Sequence, residues 1–174
     1  MVLGITRRKI PSSLKSLDWR FIVGNMKRTF LRKQGKSDTS KAKRKLDIEF
    51  SKMIRARDGG ICITCGKKAE GSNYHAGHFR RRECMSTRWD WRNVNGQCSG
   101  CNTFRGGLPY EYGLALDKKW GKGTAKQLYK ISMKQKQWDI KEIEQLTHAA
   151  RLGFNAYKQL YGELYQEGLA VDKP

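Results

Sequence analysis

Four of the chain's cysteines stand as two C-x-x-C pairs, Cys62/Cys65 and Cys98/Cys101, and a fifth, Cys84, has no partner at that spacing. Two thiolates three positions apart turn back on a single ion, and Gly66 after the first pair relaxes the tight turn. Two such pairs close a tetrahedral shell and leave no open position for substrate. The zinc they imply is structural, and it would contribute folding energy to a stretch poor in apolar residues. The same pairs could instead be unrelated, or one could be a redox C-x-x-C. The basic charge and the absence of a βαβ pattern argue against redox use.

The gap between the pairs is informative. Thirty-two residues separate Cys65 from Cys98, against about 15–20 in a plain four-cysteine ribbon. The insert carries Tyr74-His75-Ala76-Gly77-His78-Phe79 and then Arg80, Arg81 and Arg82. Phosphodiester hydrolysis needs a base to activate water, a cation on the scissile phosphate and a stabilised leaving oxygen. A histidine titrating near neutrality is a natural base, and asparagine or carboxylate oxygens suit a hard divalent ion. His78, Asn93 and Asn102 are residues of those types, and a zinc knuckle would hold Asn102 rigidly. The plainer alternatives are a packed histidine and two turn-capping asparagines. The arginine run would set guanidinium groups beside a phosphate or form a solvated surface. Arg88, Arg92 and Arg105 extend the same basic set. Trp89 and Trp91 flank Asp90 and would stack on unpaired bases or pack under the zinc site.

The overall charge is +20, from 36 Lys and Arg against 16 Asp and Glu. It is uneven: residues 1–50 carry +10, residues 51–110 carry +7 and residues 111–174 carry +3. A domain this basic and clustered expects a polyanion. No run is long and apolar enough for a membrane helix, and no secretory h-region is present, so a soluble cytoplasmic protein is expected.

Three regions must position these residues: a basic arm over 1–39, a zinc-containing core over 40–122 and a helical region over 123–174 packing on it. Within the arm, spacing allows a helix over 17–31, and 35–39 reads as a linker. A helix is expected over 40–58, capped by Ser40 and stopped at Gly59-Gly60, with Ala42, Leu46, Phe50, Met53 and Ile54 as its buried stripe. Residues 74–79 read as one strand of a hairpin and 93–97 as part of a segment returning to the metal, and 109–120 and 124–135 read as helices. Asp139 and Glu142 fit a capping box, with Trp138 and Ile143 as a staple. One helix then runs to about Gly168, its face formed by Ile140, Ile143, Leu146, Ala150, Phe154, Tyr157, Tyr161 and Leu164, as core or as a dimer face. His148 on it reads as structural.

The order of motifs resembles the HNH, or ββα-metal, endonucleases with a zinc ribbon, and more closely the lambda NinG (Rap) recombination endonuclease family. The resembling stretch runs from about Lys45 to Tyr112. It includes Phe50-Ser51-Lys52-Met53-Ile54-Arg55, Cys62-Ile63-Thr64-Cys65-Gly66, Ala76-Gly77-His78-Phe79, Arg92-Asn93-Val94, Gln97-Cys98, Cys101-Asn102, Phe104-Arg105-Gly106-Gly107 and Tyr110. The resemblance implies an α+β fold with a small ββα-metal core flanked by helices. It implies a phage-encoded, metal-dependent enzyme in the host cytoplasm that cuts branched DNA such as Holliday junctions and D-loops. The implied catalytic cation is Mg²⁺ or Mn²⁺. His78 then corresponds to the general base, Asn102 to a metal ligand and Asn93 to the asparagine that holds the catalytic loop. HNH proteins usually place an Asp before the catalytic histidine, where this chain has Gly77. The lambda protein has an Asp where this chain has His75. His75 and Asp90 are the candidate further ligands, and an imidazole ligand would favour a softer metal. Paired cuts across a junction would ask for a homodimer. A non-catalytic zinc module that binds nucleic acid explains the charge and the cysteines equally well.

Overall fold

The computed structural model describes residues 37–168, so the arm over 1–36 and its expected helix lie outside the described residues. The first helix, α1, spans Asp38–Arg57. Its N-cap is Ser37 rather than Ser40: the Ser37 hydroxyl accepts from the Ser40 N–H at 3.3 Å. Asp38 in the first turn suits the positive end of the helix dipole, so residues 38 and 39 are helical rather than linker. Leu46, Phe50, Met53 and Ile54 are buried as the periodicity requires. Gly59 and Gly60 then take φ of +57° and +83°, a region closed to most side chains, and the chain turns away.

Strands β1 (Tyr74–His78) and β2 (Val94–Cys98) form one antiparallel pair, with Tyr74 opposite Cys98 and His78 opposite Val94. A π-helical turn, Gly100–Phe104, follows directly. Four helices complete the order: α2 (Pro109–Trp120), α3 (Thr124–Ser132), α4 (Ile140–Leu152) and α5 (Phe154–Gly168). The fold is thus mixed and helix-rich around a two-stranded sheet. Among the described residues no helix is long and apolar enough to cross a membrane.

The single helix expected from 140 to 168 is two. Gly153 has φ +119° and ψ 178°, which the apolar periodicity did not register and which only glycine adopts without strain. The capping box is present, with Asp139 accepting from the Glu142 N–H at 2.8 Å and Glu142 accepting from the Asp139 N–H at 2.9 Å. Trp138 and Ile143 are both buried, but Ile140 is exposed. The rest of the stripe packs inside the chain: Ile143, Leu146, Ala150, Tyr157 and Tyr161 join the α1 stripe, Trp89 and Val94 in the main core. That face is therefore core rather than a dimer surface. Each fully buried side chain of this size contributes roughly 1.5–3 kcal/mol.

A second, smaller cluster of Tyr112, Leu116 and Leu128 joins α2 to α3. The two cores are tied by a polar clamp at the end of α1. Arg57 forks onto the Asp58 carboxylate and donates to the Trp91 and Val94 carbonyls at 2.8 and 3.0 Å. Asp58 in turn accepts from the Gly96 N–H and from Lys119 of α2, each at 2.7 Å. Burial acts to raise the Asp58 carboxyl, but these bonds and the Arg57 charge outweigh it and hold it below its usual value. α1, β2 and α2 are registered to one another through this pair.

Candidate active-site cleft beside a four-cysteine cluster

The Cys62 and Cys65 loop is a tight knuckle in which the Gly66 N–H donates to the Cys62 carbonyl at 2.8 Å. It is stitched to β2 by the Ile63 N–H, which donates to the Gly96 carbonyl at 2.8 Å. Cys98 ends β2 and Cys101 lies in the π-helical turn, so both pairs meet at one end of the hairpin. The four sulfurs lie within 4.8 Å of one another, and the Cys65 and Cys98 sulfurs are 3.8 Å apart. Four thiolates about 2.3 Å from one zinc stand about 3.8 Å apart along a tetrahedral edge, far beyond a disulfide at about 2.05 Å. Burial opposes charge on Cys62, but the amides of Cys98, Cys65 and Thr64 bring its thiol down to about 7. Cys101, buried and facing the other sulfurs, is pushed up to about 12. Full ionisation of this set calls for a cation among the sulfurs, and the four cysteines are positioned to bind a zinc ion.

A cleft of about 630 Å³ opens between α1 and β1. Asp47, Ser51 and Arg55, at i, i+4 and i+8, form its helical wall. His75, Ala76 and His78 come from β1, Arg81, Arg82 and Glu83 from the loop beyond it, and Asn102 from the π-helical turn. The structure therefore brings His78, His75 and Asn102 to one cleft although Asn102 lies 24 positions beyond His78 in the chain.

The surroundings of His78 define its tautomer. Its Nε2 lies 3.1 Å from the Arg88 carbonyl, which can only accept, so Nε2 carries the proton and Nδ1 is left unprotonated. Burial pushes the imidazole down to about 4. The Arg82 charge adds to this, while the Arg88 carbonyl and the Asp47 charge act the other way. The ring is neutral at physiological pH, as a proton acceptor must be. Asn93 is fully buried and ties the 79–93 loop together. Its Oδ1 accepts from the Arg80 N–H at 2.7 Å, and its Nδ2 donates to the Arg80 and Thr87 carbonyls at 3.0 and 2.9 Å. It holds the loop that supplies the Arg88 carbonyl and touches no cleft space itself.

His75 and Asn102 meet side by side: Asn102 Nδ2 lies 3.0 Å from His75 Nδ1, and His75 Nε2 lies 3.0 Å from the Ser72 carbonyl. Rotating the Asn102 amide by half a turn would set its oxygen beside the same nitrogen. Two ligands about 2.1 Å from one octahedral cation stand about 3.0 Å apart, so the pair is spaced as neighbouring ligands would be. Among the described residues the four cysteines are the one group of three or more His, Cys, Asp or Glu side chains close enough to share an ion.

Several residues expected at the site are elsewhere. Asp90 is fully buried away from the cleft, its two oxygens held by the Arg92 guanidinium at 3.1 and 2.7 Å, so neither Asp90 nor Arg92 offers a free group there. Arg80 turns toward α3, donating to Ser132 at 2.9 Å with its guanidinium over the Tyr129 ring. Arg88 is forked onto Asp47. Arg105 donates to the Cys101 sulfur at 2.8 Å. Of the six arginines expected to meet DNA, Arg81 and Arg82 line the cleft. Trp89 is buried and Trp91 packs edge-on against Trp120 and Phe154, so both are core residues rather than base-stacking ones. Asp47, Ser51, Arg55 and Glu83 were not anticipated. The first three were visible as a polar flank beside the apolar stripe of α1.

The position before His78 has its own cause. A Cβ on Gly77 would collide with Gln97 Oε1, stand 3.0 Å from Asn102 Oδ1 and 3.1 Å from Gln97 Cβ. Gln97 is fully buried; its Nε2 donates to Thr64 of the first knuckle at 2.7 Å and to the Gly107 carbonyl beyond the second at 2.9 Å. Its Oε1 has no hydrogen-bond partner. The side chain that staples both knuckles to the hairpin thus occupies the space a carboxylate before His78 would need.

A two-stranded hairpin, with four cysteines positioned to bind zinc at one end and a polar cleft carrying a neutral histidine beside it, defines a small domain of mixed α and β structure. The chain belongs to the bacteriophage lambda NinG protein family, whose model matches residues 25–160. No curated protein and no solved structure matches it.

Proposed function

We propose that the chain is a metal-dependent, structure-specific DNA endonuclease with an HNH-like active site, acting on branched recombination intermediates such as Holliday junctions and D-loops. The observation that carries the proposal is the convergence of a neutral, tautomer-defined His78 with the His75 and Asn102 pair in one cleft. Family membership supports the phage and recombination setting, and the charge of +20 supports a polyanionic substrate.

In this reading His78 Nδ1 takes a proton from the attacking water. Asn102 and His75 would hold the catalytic cation, Mg²⁺ or Mn²⁺, which when bound supplies charge to the scissile phosphate and the leaving oxygen. Such a cation commonly uses one or two protein ligands and keeps several waters. Arg81 and Arg82, at the cleft rim, would bind phosphates beside the cut. Asn93 keeps the loop in register, and the zinc knuckle carries Asn102.

The second reading, a zinc-containing nucleic-acid-binding protein without catalysis, is favoured by one observation: the one ligand cluster of three or more such residues among those described is the closed four-cysteine set. Incubating the zinc-loaded chain with a labelled four-way DNA junction and Mg²⁺, Mn²⁺ or EDTA separates the two. The proposal expects cleavage near the branch with added metal and none in EDTA. Tight binding without cleavage under any metal would leave only the second reading.

A further inference from the structure

The cleft wall contains a carboxylate that neither zinc nor the proposed chemistry uses. Asp47 lies on α1, and its side chain is 14% exposed. Its Oδ1 accepts from the Trp89 indole at 2.9 Å and from Arg88 Nε at 3.1 Å. Its Oδ2 accepts from Arg88 Nη2 at 2.6 Å and pairs with Arg82 at 3.4 Å. Burial acts to raise this carboxyl, but the Arg88 and Trp89 bonds with the Arg88 and Arg82 charges hold it below its usual value. With three hydrogen bonds and the Arg82 ion pair on two oxygens, Asp47 has little left to offer a cation. Its effect must pass through the residues it holds.

One of those residues carries the carbonyl that selects the His78 tautomer. Arg88 is in a loop of successive turns, linked by Cys84 N–H to Arg81 O, Thr87 N–H to Cys84 O and Asp90 N–H to Thr87 O. No strand partner holds residue 88. Asn93 secures the loop at Arg80 and Thr87, and the Arg88 fork on Asp47 ties the next residue to α1. A neutral imidazole in water populates both tautomers, and only a fixed neighbour selects one.

We infer that Asp47 is the positioning residue for the His78 base, acting through the backbone of Arg88. Its carboxylate clamps the Arg88 side chain and the Trp89 indole to α1, which holds the Arg88 carbonyl on His78 Nε2 and keeps Nδ1 free for water. The role of the base rests on the nuclease reading; the tautomer selection does not.

The test uses the full zinc-loaded chain with ¹⁵N-labelled histidine. Long-range ¹H–¹⁵N spectra assign the His78 tautomer, and junction cleavage gives kcat and KM. The parent chain should show one Nε2–H tautomer. Asp47→Asn should show a tautomer mixture and a kcat lower by about tenfold or more, with KM changed by less than about threefold and Asp47→Glu recovering much of both. Arg88→Met, which keeps the carbonyl but removes the fork, should reproduce the loss and decides the matter should Asp47→Asn not fold. A single Nε2–H tautomer retained in these variants, or wild-type kcat despite a mixed tautomer, would overturn the inference. A parent chain that never cleaves would instead remove the nuclease reading while the spectra still judged the clamp.

Discussion

Replacing Gly77 by alanine should destabilise the chain by an amount set chiefly by Gln97. Gly77 does not have a positive φ, so no backbone strain attends the change. On its own, Gly→Ala favours folding by about 0.4–1 kcal/mol through the unfolded state. Against this, the new Cβ collides with Gln97 Oε1 and presses on Asn102 Oδ1 at 3.0 Å. Gln97 is walled in, and moving it disturbs its bonds to Thr64 and Gly107. Overpacking costs about 1–3 kcal/mol, and each lost neutral bond costs about 0.5–1.5 kcal/mol. The net expectation is a loss of roughly 1–5 kcal/mol. Gly77→Asp should lose more, because it adds a buried carboxylate. The assay is a double-mutant cycle by urea unfolding in saturating zinc, using Gly77→Ala, Gln97→Ala and the double variant. The alanine should be costly in the parent chain and clearly less so once Gln97 is trimmed, the remainder coming from Asn102 Oδ1 and the retained Cβ of residue 97. Equal costs in both backgrounds would refute the steric argument, and with it the explanation for the missing acidic residue.

Other outcomes follow from the same geometry. Metal analysis should find one zinc per chain, and Cys101→Ser should lower zinc affinity and the far-ultraviolet signal of the hairpin region together, because metal binding and local folding are one equilibrium. Stability should fall on acidification. The folded His78 titrates near 4 and the unfolded residue near about 6.5, so the unfolded chain binds the extra proton between these values. Its contribution is complete above about pH 6.5 and is lost progressively toward pH 4, to a total of about 3 kcal/mol. Taking the difference from a His78→Asn chain cancels the cysteines' own uptake and should isolate this slope. Arg81→Ala with Arg82→Ala should weaken junction binding and reduce the slope of log affinity against log salt by about 1–2, whereas Arg80→Ala, whose guanidinium is engaged on α3, should leave that slope near the parent value.

The elements nearest the cysteines were readable because their signals are local. Spacing gave both knuckles, Pro109 opened α2 where expected, and the Asp139 and Glu142 box marked the start of α4. Periodicity failed at Gly153 because a glycine can carry the apolar stripe across a break: Tyr157 and Tyr161 stay in phase with the core on the far side. The cleft was half readable. His78, His75 and Asn102 carry chemistry in their residue types. Arginines do not announce their partners: Asp90, Asp47 and Cys101 each hold one of those expected from the sequence to meet DNA. The clamp from Asp47 to Arg88 spans 41 residues and has no sequence signature at all.

In the proposed nuclease, the His78 imidazole activates water on a DNA phosphate. Single-turnover cleavage of a four-way junction by His78→Ala, alongside a binding titration of the same variant, tests it most directly. Loss of cleavage by at least about a hundredfold is expected, with affinity within about threefold of the parent chain. Cleavage at the parent rate by His78→Ala would contradict it.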